Sequence, residues 1–132
     1  MSSHSEQAKA LLDAAQRDLI TLKVLLKDSE SPIETTLFHA QQMHEKCVKA
    51  ALVVAGVVFP RTHDLLELLE FANNSGLQLP ASRDLMARLS PYAVEFRYLG
   101  VIAPTVALDE AWTSSKNLMA WVKALIESKE TP

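Results

Sequence analysis

Apolar positions recur three and four residues apart along almost the whole chain, and no stretch keeps a period of two, so the pattern predicts helices throughout. The first runs from about Ser5 to Lys27. Ala8, Leu11, Leu12, Ala15, Leu19, Leu22, Leu25 and Leu26 share one side, while Lys9, Asp13, Gln16 and Arg17 line the other. Asp18 falls at the margin of the apolar stripe, where a carboxylate either reaches water or pairs with a lysine of the next helix. Asp28 to Pro32 breaks the pattern, and the second helix spans Glu34 to Ala55. It sets Leu37, Ala40, His44, Cys47, Val48, Ala51, Val54 and Ala55 on one side and a polar wedge of Gln41, Gln42, Glu45, Lys46 and Lys49 on the other. Gly56 stands where a glycine ends a helix, and Pro60 prevents its resumption. Val57, Val58 and Phe59 form an apolar connection expected to pack under the next turn.

Thr62 is the expected N-cap of a short third helix, with Asp64 in its first turn at the positive end of the dipole. Leu65, Leu66, Leu68, Leu69 and Ala72 continue it until Asn73 to Gly76. Ser82 can cap a fourth helix carrying Leu85, Met86 and Leu89. Ser90 followed by Pro91 then predicts a second cap and a restart before Tyr92, Val94, Phe96 and Tyr98. After a turn at Gly100 to Pro104, the last helix runs from about Val106 to Ser128, with Ala111, Leu118, Trp121, Val122 and Leu125 inward. Short connections between such helices predict an all-α fold, an up-and-down bundle of four to five helices forming a single domain over residues 5–128.

Composition narrows the function classes. Only three glycines among 132 residues argue against a sheet-rich or loop-rich fold. A net charge of −3 offers no basic footprint for duplex nucleic acid, although a local patch could still bind it. Cys47, the lone cysteine, has no intrachain partner and lies on the apolar face. The first seven residues are polar, and the longest apolar run, Ala50 to Phe59, is about half a bilayer span. These features predict a cytoplasmic protein that does not enter a membrane.

The residues that carry chemistry are few. No Glu-x-x-His pair of a di-iron bundle occurs, His39 and His44 point about 140° apart on a helix, and one cysteine cannot build a zinc set. No metal site, nucleophile elbow or phosphate-cradling glycine loop is expected. His44 reads as a satisfied core or interface histidine. Glu45 and Lys49 stand four apart in the favourable order, as a surface bridge or as part of a site.

Taken together, His39-Ala40-Gln41-Gln42, Glu45-Lys46, Lys49-Ala50-Ala51-Leu52, the Phe59-Pro60-Arg61-Thr62-His63-Asp64-Leu65 junction and Glu95-Phe96-Arg97-Tyr98 resemble the prokaryotic HEPN family, named for higher eukaryotes and prokaryotes nucleotide-binding. Asp18-Leu19 fits the same pattern, and the resemblance runs from about Ala8 to Ile126. It implies a small helical bundle, commonly a homodimer, and a role beside a minimal nucleotidyltransferase in a toxin and antitoxin pair. It also implies a nucleotide, ATP or GTP, as ligand, with no resident cofactor. The family's ribonuclease branch carries an arginine followed four to six residues later by histidine, and that spacing is missing here. No catalytic residue is therefore assigned.

The family's helix and junction carry over onto a candidate nucleotide or partner site of Gln42, Glu45, Lys46, Lys49, His63 and Asp64, with Arg97 and Tyr98 if they fold back against it. Lysine, arginine and a helix N-terminus would suit phosphate. Alternatively, His63, Asp64 and Arg97 form a capping and salt-bridge network that locks helix three to helix four. The function expected is a binding module. An RNA-cleaving toxin using Arg97 and His63, or a helical scaffold with no ligand, is the alternative.

Overall fold

The fold is taken from a computed structural model, which describes residues 3–94 and 105–130. Three long helices, α1 (Ser3–Leu26), α2 (Ile33–Val54) and α5 (Leu108–Glu130), form its body. Two short ones, α3 (Leu65–Asn74) and α4 (Arg83–Leu89), follow α2, and a 3-10 turn (Ser90–Ala93) follows α4. No strand occurs among the described residues. Glu95, Phe96, Arg97 and Tyr98, and the expected turn at Gly100 to Pro104, lie outside them.

α2 is the hub, in contact with α1, α3, α4, the 3-10 turn and α5. Its length of 22 residues and its apolar side explain why. Leu37, Ala40, Met43, Cys47, Val48, Ala51 and Leu52 are fully buried, and so are Leu22 of α1, Leu65 and Leu68 of α3, and Leu118 of α5. Each such large side chain contributes about 1.5 to 3 kcal/mol of burial. Small residues, Ala8 and Ala15 on α1 and Ala111 on α5, are also fully enclosed.

Helix ends follow the sequence closely. α2 closes in a Schellman arrangement, with Gly56 N–H on Val53 O at 3.0 Å and Val57 N–H on Leu52 O at 2.9 Å. That geometry needs the positive φ of +74° that Gly56 adopts. α3 closes the same way, with Gly76 at +84° and Leu77 N–H on Ala72 O at 2.9 Å. Ser82 caps α4 through Leu85 N–H at 3.0 Å, as expected.

Three expectations change. Asp64, not Thr62, is the N-cap of α3, accepting from Leu66 N–H and Glu67 N–H. Thr62 stands two residues too early: its hydroxyl accepts from Asp64 N–H at 3.0 Å, a local turn that fixes the cap residue itself. Ser90 does not cap the turn that Pro91 opens, since its hydroxyl accepts from Leu65 N–H at 2.9 Å across the fold. In the apolar connection, Val57 and Phe59 pack against the core but Val58 is 88% exposed.

One buried group is unbalanced. Ser115 on α5 is fully enclosed, and its hydroxyl finds no partner among the described residues. A buried hydroxyl without a hydrogen bond costs about 1 to 3 kcal/mol. Ser115→Ala is therefore expected to raise the unfolding free energy by about 1 kcal/mol, read as a higher urea midpoint at unchanged slope.

Candidate functional site

The polar wedge of α2 divides between two carboxylates. On the α1 flank, Asp18 accepts from Lys46 through one oxygen and pairs with His39 Nδ1 through the other at 3.0 Å. His39 and Lys46 are seven residues apart, two turns along one line of the helix, so one carboxylate from α1 reaches both. This is the inter-helix ion pair that the position of Asp18 allowed. Lys46 is thereby drawn toward α1, away from the start of α3.

On the other flank, Glu45 faces the α2–α3 junction. Its side chain is only 6% exposed and gathers three donors. Gln41 Nε2 donates to Oε1 at 3.0 Å, Lys49 Nζ to Oε2 at 2.9 Å, and His63 Nδ1 lies 3.1 and 2.9 Å from the two oxygens. Burial pushes the Glu45 carboxyl upward, but the hydrogen bonds from Lys49, Gln41 and His63 outweigh it and hold the group below its ordinary value. Gln41 also donates to His63 O at 3.2 Å and accepts from Gln42 Nε2 at 2.8 Å. One glutamine thus fixes both the carboxylate and the backbone of the junction.

His63 has a consequence for chemistry. A carboxylate only accepts, so Nδ1 carries the proton that faces Glu45. The Nε2 side belongs to a ring that is 75% exposed. Beside it runs a groove of about 500 Å³ lined by His63, Asp64 and Ser90 and by the apolar Leu66, Ala87, Pro91, Ala93 and Val94.

The N-terminus of α3 is already engaged. Asp64 N–H is met by Thr62 Oγ1 at 3.0 Å, Leu65 N–H by Ser90 Oγ, and Leu66 and Glu67 N–H by Asp64 Oδ1 at 3.0 and 3.4 Å. Four amides that the sequence offers to an anion are taken by the chain's own oxygens. Glu45, Lys49, His63 and Asp64 therefore come together, Gln42 joins through Gln41, and Lys46 serves a different pair. Arg97 and Tyr98 fall outside the described residues. His63 ties the start of α3 to α2, Ser90 at the close of α4 holds Leu65 N–H of the same helix, and the Arg97 part of the expected network lies outside the described residues. Gln41 is the participant that sequence reasoning missed as a site residue. Its position four before Glu45, and so directly above it on the helix, was the available signal.

His44 stays out of the site. Its Nδ1–H donates to Ala40 O at 2.7 Å and its Nε2 accepts from Ser114 Oγ at 2.8 Å, deep between α2 and α5. Burial lowers its pKa to about 4, so the ring is neutral. Among the described residues no group of three His, Cys, Asp or Glu side chains is placed to hold a metal ion.

Long helices packed on a central one, with a charged cluster at the junction of α2 and α3, define an all-α helical-bundle protein with a polar inter-helix site. The chain belongs to the HEPN domain family, whose model matches residues 8–126. It is also similar to a protein of Methanocaldococcus jannaschii named "Putative toxin MJ1304", 43% identical over 54 residues. That match covers 41% of this chain and 34% of the archaeal protein, so it spans about a third of that relative's length. No solved structure matches the chain. No helix among the described residues is long and apolar enough to cross a membrane.

Proposed function

We propose that this chain is the HEPN-type helical member of a cytoplasmic toxin and antitoxin pair, and that the α2–α3 junction meets a minimal nucleotidyltransferase partner. Membership of the family and the name of the archaeal relative support the setting. The observation that carries the site is His63, three-quarters exposed yet anchored by a buried carboxylate, at the rim of a largely apolar groove. Such a combination offers a partner an ordered polar contact next to apolar surface at low entropic cost.

The same geometry ranks the ligands. Lys49 is already paired with Glu45, and the amides of α3 are already met, so the junction favours a protein side chain over a phosphate group. ATP or GTP is the second reading, supported by the Lys49 ammonium close to the exposed imidazole of His63. Co-purification with a minimal nucleotidyltransferase from the native host tests the first. His63→Ala is expected to weaken capture about tenfold, the loss of one charge-assisted contact, while calorimetry with ATP and GTP shows little heat. Strong heat that Lys49→Ala abolishes would reverse the ranking.

RNA cleavage is the remaining reading, favoured by the Glu45 to His63 contact. A carboxylate that holds Nδ1 leaves Nε2 available for proton transfer. Incubation with RNA, wild type against His63→Ala, decides it: cleavage that vanishes with the imidazole makes the protein an enzyme.

A further inference from the structure

The groove beside His63 has a polar rim that only accepts hydrogen bonds. Nδ1 of His63 gives its proton to Glu45, so Nε2 is left with a lone pair on the exposed side of the ring. Asp64 uses Oδ1 for the amides of Leu66 and Glu67, while its Oδ2 meets no described residue. Ser90 Oγ accepts from Leu65 N–H at 2.9 Å, and its own proton is directed at His63 O and Asp64 Oδ1, each 3.5 Å away. The amides that open α3 are spent on these same side chains. A group that enters the groove must therefore bring the donors.

Charge narrows the choice to a cation. Asp64 is an exposed carboxylate with no ion pair among the described residues, and Glu67 in the same turn of α3 is another. Among the described residues no lysine or arginine lines the groove. The rest of its wall, Leu66, Ala87, Pro91, Ala93 and Val94, is apolar, and Val94 is 54% exposed. Both halves are matched by a side chain with an apolar stem and a positively charged tip that carries several donors. Lysine concentrates its donors at one point, whereas the planar guanidinium spreads them over a fork that reaches separate acceptors, here a carboxylate and an imidazole nitrogen. We infer that the groove receives an arginine side chain of the partner protein, its stem against Leu66, Pro91 and Val94 and its guanidinium at Asp64 and His63 Nε2. This rests on the junction being a protein-docking site and adds the chemistry of the anchor. Arginine is one of the residue types that dominate such contacts.

The test uses Nα-acetyl-arginine methylamide, titrated into the full chain labelled with nitrogen-15. Backbone amide signals of residues 63–67 and of the 3-10 turn are expected to shift saturably, with a Kd in the millimolar range for one anchor without the rest of its protein. The citrulline analogue, equal in shape but uncharged, binds about tenfold more weakly, and the glutamate analogue does not bind. Asp64→Asn weakens the arginine analogue about tenfold and leaves the urea midpoint unchanged, because asparagine caps a helix as well as aspartate does. Ala87→Phe, at an exposed position of α4, fills the groove and abolishes binding. Citrulline or glutamate binding as tightly as arginine, the absence of any saturable shift, or indifference to Asp64→Asn overturns the assignment. Capture of the nucleotidyltransferase tells this failure from that of the docking site. Loss of capture with His63→Ala but not with Asp64→Asn removes the arginine alone, whereas capture indifferent to both removes the site as well.

Discussion

Replacing Glu45 with alanine is expected to cost about 3 kcal/mol of stability, because removal of one partner from a buried charged pair leaves the others unmatched. Three donors lose their acceptor: Gln41, which is fully enclosed, Lys49, and the exposed imidazole of His63. Glu45→Gln keeps the shape and one acceptor oxygen, and is expected to cost about 1 kcal/mol, the worth of weakened hydrogen bonds. The pH dependence has a definite sign. The folded carboxyl is held below its ordinary value of 4.5, so its contribution is complete above that pH and is lost as pH falls through the lower folded value. The gap between wild type and Glu45→Gln should therefore shrink in acid. Urea unfolding at pH 7 and at pH 3.5 measures it, and a gap that widens in acid would contradict the assignment of Glu45 as the charged centre. If the junction is also the binding site, Glu45→Gln releases His63, and capture of the partner should fall with it.

His44 is expected to produce the other large effect, in a different pH window. Its pKa falls from 6.5 to about 4 on burial, a depression that corresponds to about 3 kcal/mol. The folded state binds the neutral ring. Its contribution is therefore present above pH 6.5 and is lost as pH falls toward 4, because the unfolded chain takes up the proton first. Wild-type stability should decline by about 2 to 3 kcal/mol between pH 7.5 and 4.5 from this residue. A single substitution would strand the Ser114 hydroxyl, so the informative variant is His44→Leu with Ser114→Ala. That pair of changes removes the hydrogen bond from both ends, and replacing both partners by apolar groups is close to neutral at pH 7. The double variant should be nearly flat over the same range. A profile as steep as that of the wild type would place the titrating group elsewhere.

These two side chains also show how much a sequence can say about a site. His44 sits at the phase of Ala40, Cys47 and Val48, so its enclosure was legible. What was not legible is Ser114, seventy residues away, which satisfies the far nitrogen. Glu45 and Lys49 read as a surface bridge or as part of a site, because they are four apart on the polar side. The structure makes Glu45 a buried group because the junction folds back over it and delivers His63 and its carbonyl to Gln41. Lys46 is the opposite case. Periodicity put it with Lys49, yet the roughly 100° between Glu45 and Lys46 carried it to the α1 flank, where Asp18 was waiting.

By itself, the sequence determined the helices, the glycine-closed ends of α2 and α3, the serine cap of α4 and most of the inward side of each. Those follow from local rules: a repeat of 3.6 residues, a glycine that accepts positive φ at the close of α2 and α3, and a serine in reach of its own helix amides at α4. Only the tertiary structure decided which carboxylate each cation serves and whether the start of α3 is free for an anion. Those outcomes depend on groups brought within 3 Å from distant parts of the chain. Ser90 against Leu65, His63 against Glu45 and Asp18 against Lys46 leave no periodic trace, since a hydrogen bond is set by where two elements cross.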